Sequence, residues 1–140
     1  MFSKSCEYGT RAALYLATLQ EDRKLGVAEL AEILQVPRHF LAKILQQLSK
    51  NNLISSQKGP NGGFFMTDDN LKSDLLSVII SIDGPDVFNR CVLGLPECSS
   101  TNPCSFHDKT VEYRKSMLEI LQEEPISTTA EKIVSQNLKI

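Results

Sequence analysis

The stretch from Val27 to Met66, VAELAEILQVPRHFLAKILQQLSKNNLISSQKGPNGGFFM, constrains the fold more than any other part of the chain. Val27, Leu30, Ala31 and Leu34 fall on one helical face and Glu29 and Glu32 on another, which predicts a short helix over 27–34. Pro37 fits the first turn of a helix and disfavours a helical residue before it, so one helix ends and the next begins there. In RHFLAKILQQLSKN the apolar positions Phe40, Leu41, Ile44, Leu45 and Leu48 make a buried stripe. Arg38, His39, Lys43, Gln46, Gln47 and Lys50 are left for solvent or a partner. Two short helices joined by a tight turn, the second basic and rich in amides, form a helix-turn-helix pattern.

The residues after the second helix sharpen that reading. Leu53-Ile54 and Phe64-Phe65-Met66 are short strand signals around the turn Lys58-Gly59-Pro60-Asn61-Gly62-Gly63. A β-hairpin directly after a recognition helix is a wing. Its glycine-rich tip can approach a phosphate backbone closely, and Lys58 can pair with a phosphate. The turn matches neither GxGxxG nor GxxxxGK[ST], and no helix comes directly after it, so a nucleotide-binding loop is excluded.

Charge agrees with a polyanion partner. Net charge is −2, but residues 1–66 carry eight Lys/Arg against five Asp/Glu, and residues 67–140 seven against twelve. Between 35 and 66 the charges are Arg38, Lys43, Lys50 and Lys58, with no acid, which reads as a docking patch for nucleic acid. The length of 140 residues suits one compact domain with an arm. No apolar run approaches the ~20 residues that span a bilayer, and the N-terminus lacks the pattern of a signal peptide. The expected location is the cytoplasm, with no membrane partner, where thiols stay reduced.

Elsewhere the periodicity predicts helices over 6–20, 71–82, 106–123 and 126–135, the last capped by Ser127 or Thr128. Thr67–Asn70 reads as a capped turn, and Asp83-Gly84-Pro85 stops the 71–82 helix. The architecture expected is mainly α. A winged helix-turn-helix DNA-binding domain over 1–70 precedes a second part over 71–140, a helix, a loop and a dimerisation helix with a C-terminal tail. A long helix after a small DNA-binding domain commonly pairs with its twin on a palindromic operator, so a homodimer is expected.

The loop from Cys91 to His107, CVLGLPECSSTNPCSFH, holds three of the four cysteines and one of the two histidines. Gly94, Pro96 and Pro103 exclude regular structure. Three thiols and an imidazole in a polar loop suit a soft-metal site. Cys6 sits in the first helix and reads as structural. His39, beside Arg38 at the start of the recognition helix, faces DNA or solvent rather than a metal. No Ser/His/Asp set, phosphate loop, paired carboxylates or CxxC pair suggests an enzyme.

These residues resemble the Rrf2 family of winged-helix transcription regulators over nearly the whole chain. The resemblance is carried by FSKSCEYGTRAALYLA, VPRHFLAKILQQLSKNNLISSQKGPNGGF and VIISIDGP. It implies a dimeric regulator whose DNA choice depends on an iron–sulfur cluster, with Cys91, Cys98, Cys104 and His107 as ligands, as in the family's IscR-like branch. That branch implies a 2Fe–2S cluster in preference to 4Fe–4S. In the NsrR-like branch an acidic side chain from the partner's N-terminal region completes a 4Fe–4S cluster, which makes Glu7 a weaker candidate. Zinc, a metal-free thiol switch and cysteines without function stay open. For DNA, the residues expected in the groove are Arg38, His39, Lys43 and Gln47. Lys58, Asn61, Gly62 and Gly63 are expected at the phosphates and minor groove.

Overall fold

The structure is a computed structural model that describes residues 2–140. In chain order the elements are α1 (Lys4–Ala17), α2 (Val27–Leu34), α3 (Arg38–Lys50), β1 (Ser55–Gln57), β2 (Gly63–Phe65), α4 (Asp68–Leu71), α5 (Leu75–Asp83), a 3-10 turn (Pro85–Phe88), α6 (His107–Glu123) and α7 (Ile126–Ser135). The fold is mainly α with one two-stranded antiparallel sheet, a winged helix-turn-helix, as the sequence implied.

Helix α1 lies at the centre. Ser3 caps it, its Oγ accepting from the Cys6 amide at 3.0 Å. Ala12, Ala13 and Leu16 enter a core with Leu30, Leu34, Leu41, Leu45, Leu48, Ile54, Val78 and Ile126. Truncating one such leucine to alanine costs about 2–5 kcal/mol. Small residues let the helices approach: a Cβ on Gly9 would stand 2.3 Å from Ile82 Cδ1 and 2.9 Å from Ile44 Cγ2. A second cluster joins Cys6, Leu76, Ile79, Val87 and Phe88, with Met117, Leu118 and Leu121 of α6 against it. Cys6 is thus a core residue, and burial foremost pushes its thiol up to about 11.

The helix-turn-helix closes through Gln35, whose φ of 54° turns the chain into Val36 and Pro37. Arg11 Nη2 fastens the turn by donating to the Leu34 carbonyl at 2.7 Å. The wing pairs Ser55 with Phe65 and Gln57 with Gly63. It also docks on the body, where Leu25 and Phe64 exchange amide–carbonyl bonds of 3.0 and 2.8 Å. Lys24 Nζ sits 5.2 Å from the centre of the Phe65 ring.

Four local expectations shift. Leu53 and Ile54 are buried anchors, and the strand itself is Ser55–Gln57. Phe40 leaves the buried stripe: it is 50% exposed and its ring lies 4.3 Å from that of His39. The helix predicted over 71–82 is two elements. A Thr67–Asn70 capping box starts α4 at Asp68, and Asp74 Oδ1, accepting from the Ser77 amide at 2.7 Å, starts α5 afresh. Finally, α7 begins at Ile126 behind Pro125, with no side-chain cap from Ser127 or Thr128.

Candidate DNA-binding surface and cysteine centre

The outward face of α3 follows from helix geometry. With Leu41, Ile44, Leu45 and Leu48 buried, the opposite side carries His39, Lys43, Gln46 and Lys50 at spacings of four, three and four. All four are exposed, as is Arg38 at the helix start. Gln47 lies on the flank instead. Its Nε2 donates to the Ser81 carbonyl in the last turn of α5, and Asn51 Nδ2 donates to Ser81 Oγ at 2.7 Å. Gln46 and Lys50, which were not among the residues expected in the groove, share the outward face. The signal was the heptad-like spacing from His39.

The wing tip exposes Lys58 and Asn61. Its glycines serve the hairpin as well as any ligand. A Cβ on Gly62 would stand 2.0 Å from the Gln57 carbonyl oxygen. Gly63 has φ +145°, and its Cβ would meet the Leu25 backbone at 2.8 Å. Buried Asn70 ties the wing to the body: its Oδ1 accepts from Ser55 Oγ at 2.7 Å and its Nδ2 donates to the Asn52 carbonyl at 2.7 Å.

The cysteine loop leaves α5 at Gly84 (φ +82°), passes the 3-10 turn and ends at the first residue of α6, His107. Within it the Sγ atoms of Cys91, Cys98 and Cys104 lie within 4.8 Å of one another. Cys91 and Cys104 are 3.7 Å apart, and Cys98 Sγ is 3.3 Å from His107 Nδ1. The Cys104 amide donates to Cys98 Sγ at 3.4 Å, and the Ser99–Asn102 backbone pair braces the bend at 3.2 Å. The His107 amide donates to the Cys104 carbonyl at 3.0 Å, and Thr110 Oγ1 donates to the His107 carbonyl at 2.9 Å. Hydrogen bonds from the Leu95 and Leu93 amides pull the Cys91 thiol down to about 7. At Cys98 the Cys104 amide favours thiolate, but burial and the neighbouring Cys104 and Cys91 thiols outweigh it and raise the pKa.

This donor set fits a soft metal. Two ligands on one tetrahedral ion, each at ~2.0–2.3 Å, stand roughly 3.5–3.8 Å apart, close to the spacings of the Cys91/Cys104 and Cys98/His107 pairs. Glu7, expected only as a contribution from a partner's N-terminal region, is exposed and paired with Lys4 at 2.6 Å.

A helix-turn-helix with a docked hairpin and a basic outward face defines a winged-helix DNA-binding protein, here with a thiol-rich loop between α5 and α6. The Rrf2 family model, described as iron-dependent transcriptional regulator, matches residues 2–132. An HTH-type transcriptional regulator of Aquifex aeolicus (strain VF5) is 34% identical over 119 residues, covering 84% of this chain and 82% of that protein. Among solved structures, the global cysteine regulator CymR (YrzC) of B. subtilis superposes with a TM-score of 0.74 at 17% identity, over 94% of this chain and 97% of that one. IscR of T. potens gives 0.70 at 19% identity, over 94% and 87%. The chain belongs to the Rrf2 family. It is a DNA-binding transcriptional regulator and not an enzyme. Among the described residues, no helix is long and apolar enough to cross a membrane.

Proposed function

We propose that this regulator is a cytoplasmic homodimer whose hold on a palindromic operator is set by an iron–sulfur cluster bound by Cys91, Cys98, Cys104 and His107. The observation that carries the reading is the convergence of three thiols, with the His107 imidazole beside one of them, Cys98, at the start of α6. The family's description as iron-dependent favours iron, and four ligands in two close pairs favour 2Fe–2S over 4Fe–4S. The cluster, when bound, supplies a centre that changes charge on reduction and is open to oxidants and nitric oxide.

The chain's own residues supply the rest. Residues 1–70 are the output part and 71–140 the sensing and dimerisation part. His39, Lys43 and Arg38 face the major groove, with Gln46 and Lys50 beside them. Lys58, Asn61 and the Gly62-Gly63 backbone meet phosphates and the minor groove. Gln47, also expected in the groove, bonds to Ser81 on the flank of α3 and so acts as a strut in the free protein. That strut matters for signalling. The last turn of α5 is gripped by Gln47 and Asn51 of α3, while the Asp83 carboxylate accepts from the Ser3 amide at 2.8 Å and from Ser3 Oγ. Seven residues separate Asp83 from Cys91. Ordering the loop therefore acts on the segment that positions the recognition helix.

Dimerisation falls to α6. Phe106, Tyr113 and Ile120 are exposed and recur every seven residues, the spacing of a left-handed helix pair. Tyr113→Glu with Ile120→Glu should yield a monomer by analytical ultracentrifugation; a double variant that stays dimeric would move the interface elsewhere.

The test of the cofactor is the absorption spectrum and metal content of anaerobically purified protein. The proposal expects a red-brown chromophore, with iron and sulfide, that is lost in Cys98→Ala. A single zinc ion is the second reading, since three sulfurs mutually within 4.8 Å also suit one tetrahedral ion. Colourless protein with stoichiometric zinc would establish it.

A further inference from the structure

Arg114 has an environment that is unusual for an arginine. It lies two turns after His107 on α6 and is 9% exposed. A guanidinium does not give up its proton in a protein, so a positive charge is largely withdrawn from solvent here. Burying a charge is costly unless an opposite charge answers it. None does so within the chain: among the described residues the ion pairs are Lys4–Glu7, Arg23–Glu29, Lys72–Asp69 and Lys132–Glu124. Among the described residues, the one acceptor that Arg114 has is a neutral carbonyl, that of Arg90, the residue before Cys91.

The surroundings say where the missing negative charge sits. Arg114 lines a cavity of about 300 Å³ together with Cys91, Arg90, Thr110 and Tyr113. His107, Thr110 and Arg114 succeed one another at spacings of three and four, one face of α6. Along that face are a cluster ligand, a hydroxyl bonded to that ligand's carbonyl, and a guanidinium fixed to the peptide that enters Cys91. Three thiolates outweigh the dication of an oxidised two-iron core, so the loaded site is net negative. One-electron reduction makes it more so.

We propose that Arg114 is the buried counter-charge of the cluster and a positioning residue for its first ligand. This rests on the iron–sulfur reading above and deepens it. Through the Arg90 carbonyl, Arg114 holds the approach to Cys91. Through its charge it stabilises the reduced cluster more than the oxidised one, and so raises the reduction potential. Exposed Arg90, in the same wall, is screened by solvent and contributes little to the potential.

The experiment is a dye-mediated redox titration of the visible absorbance, on anaerobically purified full-length protein. The wild type is compared with Arg114→Gln, Arg114→Lys and Arg90→Gln, and circular dichroism checks the fold of each. Arg114→Gln should lower the ratio of reduced to oxidised cluster at a fixed potential at least tenfold, a downward shift of about 59 mV for a one-electron couple. Arg114→Lys keeps the charge and should stay close to wild type, as should Arg90→Gln. A folded, loaded Arg114→Gln protein with the wild-type midpoint overturns the proposal. If that variant does not fold, a folded Arg114→Lys protein with a midpoint as low as predicted for Gln overturns it equally. Wild-type protein without iron or chromophore refutes the cluster reading itself, a different signature from a cluster that is present and indifferent to residue 114.

Discussion

Gly63→Ala tests how the wing is held, and its cost can be worked out from the geometry. Residue 63 has φ +145°, where an L side chain is strained by about 1–3 kcal/mol. The new methyl would also stand 2.8 Å from the carbonyl carbon and oxygen of Leu25, both backbone atoms without rotamer freedom. Relief requires the wing to lift from Leu25, which breaks the two Leu25–Phe64 bonds of 3.0 and 2.8 Å. Each is worth about 0.5–1.5 kcal/mol. Strain or separation, whichever is cheaper, puts the loss at about 1–3 kcal/mol. At roughly 3 °C per kcal/mol for a chain of this size, the melting temperature should fall by about 3–9 °C. The control is Gly26→Ala: φ is −72° and nothing lies within 4 Å of the added methyl. Gly26 is also the N-cap of α2, where alanine is less favourable than glycine, so the gain of up to about 1 kcal/mol from a stiffer unfolded chain is offset and the exchange should be close to neutral. Thermal unfolding monitored by circular dichroism at 222 nm reads both. Equal melting of Gly63→Ala and Gly26→Ala would refute the account of the wing's docking.

The same geometry sets other outcomes. Lys58→Ala should weaken binding to all DNA sequences alike and reduce the slope of log affinity against log salt by about 0.9; an unchanged slope in a filter-binding or anisotropy titration would remove Lys58 from the phosphate contacts. Gln46→Ala should change which duplexes are retained in a selection from random DNA, by about 1–3 kcal/mol at one position. Gln47→Ala should leave the preference intact and instead weaken the grip of α3 on Ser81, seen as faster amide exchange at the end of α5. In chelator-stripped, reduced protein, a thiol reagent at pH 8 should react with Cys91 ahead of Cys98, with all three loop cysteines modified in the folded state, and with Cys6 only after denaturant, because burial holds Cys6 near 11. Four fast thiols would contradict the core position of Cys6.

The sequence showed the parts of the fold whose causes are local. Pro37 marked the start of α3, and the stripe Leu41, Ile44, Leu45 and Leu48 named its buried face. What lay outside it needed contacts between distant residues. Phe40 has the right chemistry for the core but sits at the edge of the stripe, half exposed and against the His39 ring. The break between α4 and α5 was not legible, since an aspartate at 74 suits a helix surface as well as an N-cap. Helical spacing from His39 separates Gln46 from Gln47, but only the fold shows that Ser81, 34 residues on, accepts a bond from Gln47. At the cysteine loop, the residue types and the family likeness named the candidate ligands. Their spacing along the chain could not have placed Cys91 beside Cys104 or Cys98 beside His107. Arg114 was hidden for the opposite reason: arginine on a helix is ordinarily a solvated residue.

The central claim is that the cysteine centre governs the DNA surface, and binding by one preparation in two states tests it most directly. A duplex selected from random DNA is titrated anaerobically with iron-loaded protein, and again after the same protein has been stripped by a chelator under reducing conditions. Coupling through Ser81 and Asp83 predicts at least a tenfold difference in affinity, about 1.4 kcal/mol. Isotherms that superimpose, with the chromophore present in one sample and gone from the other, would contradict the account.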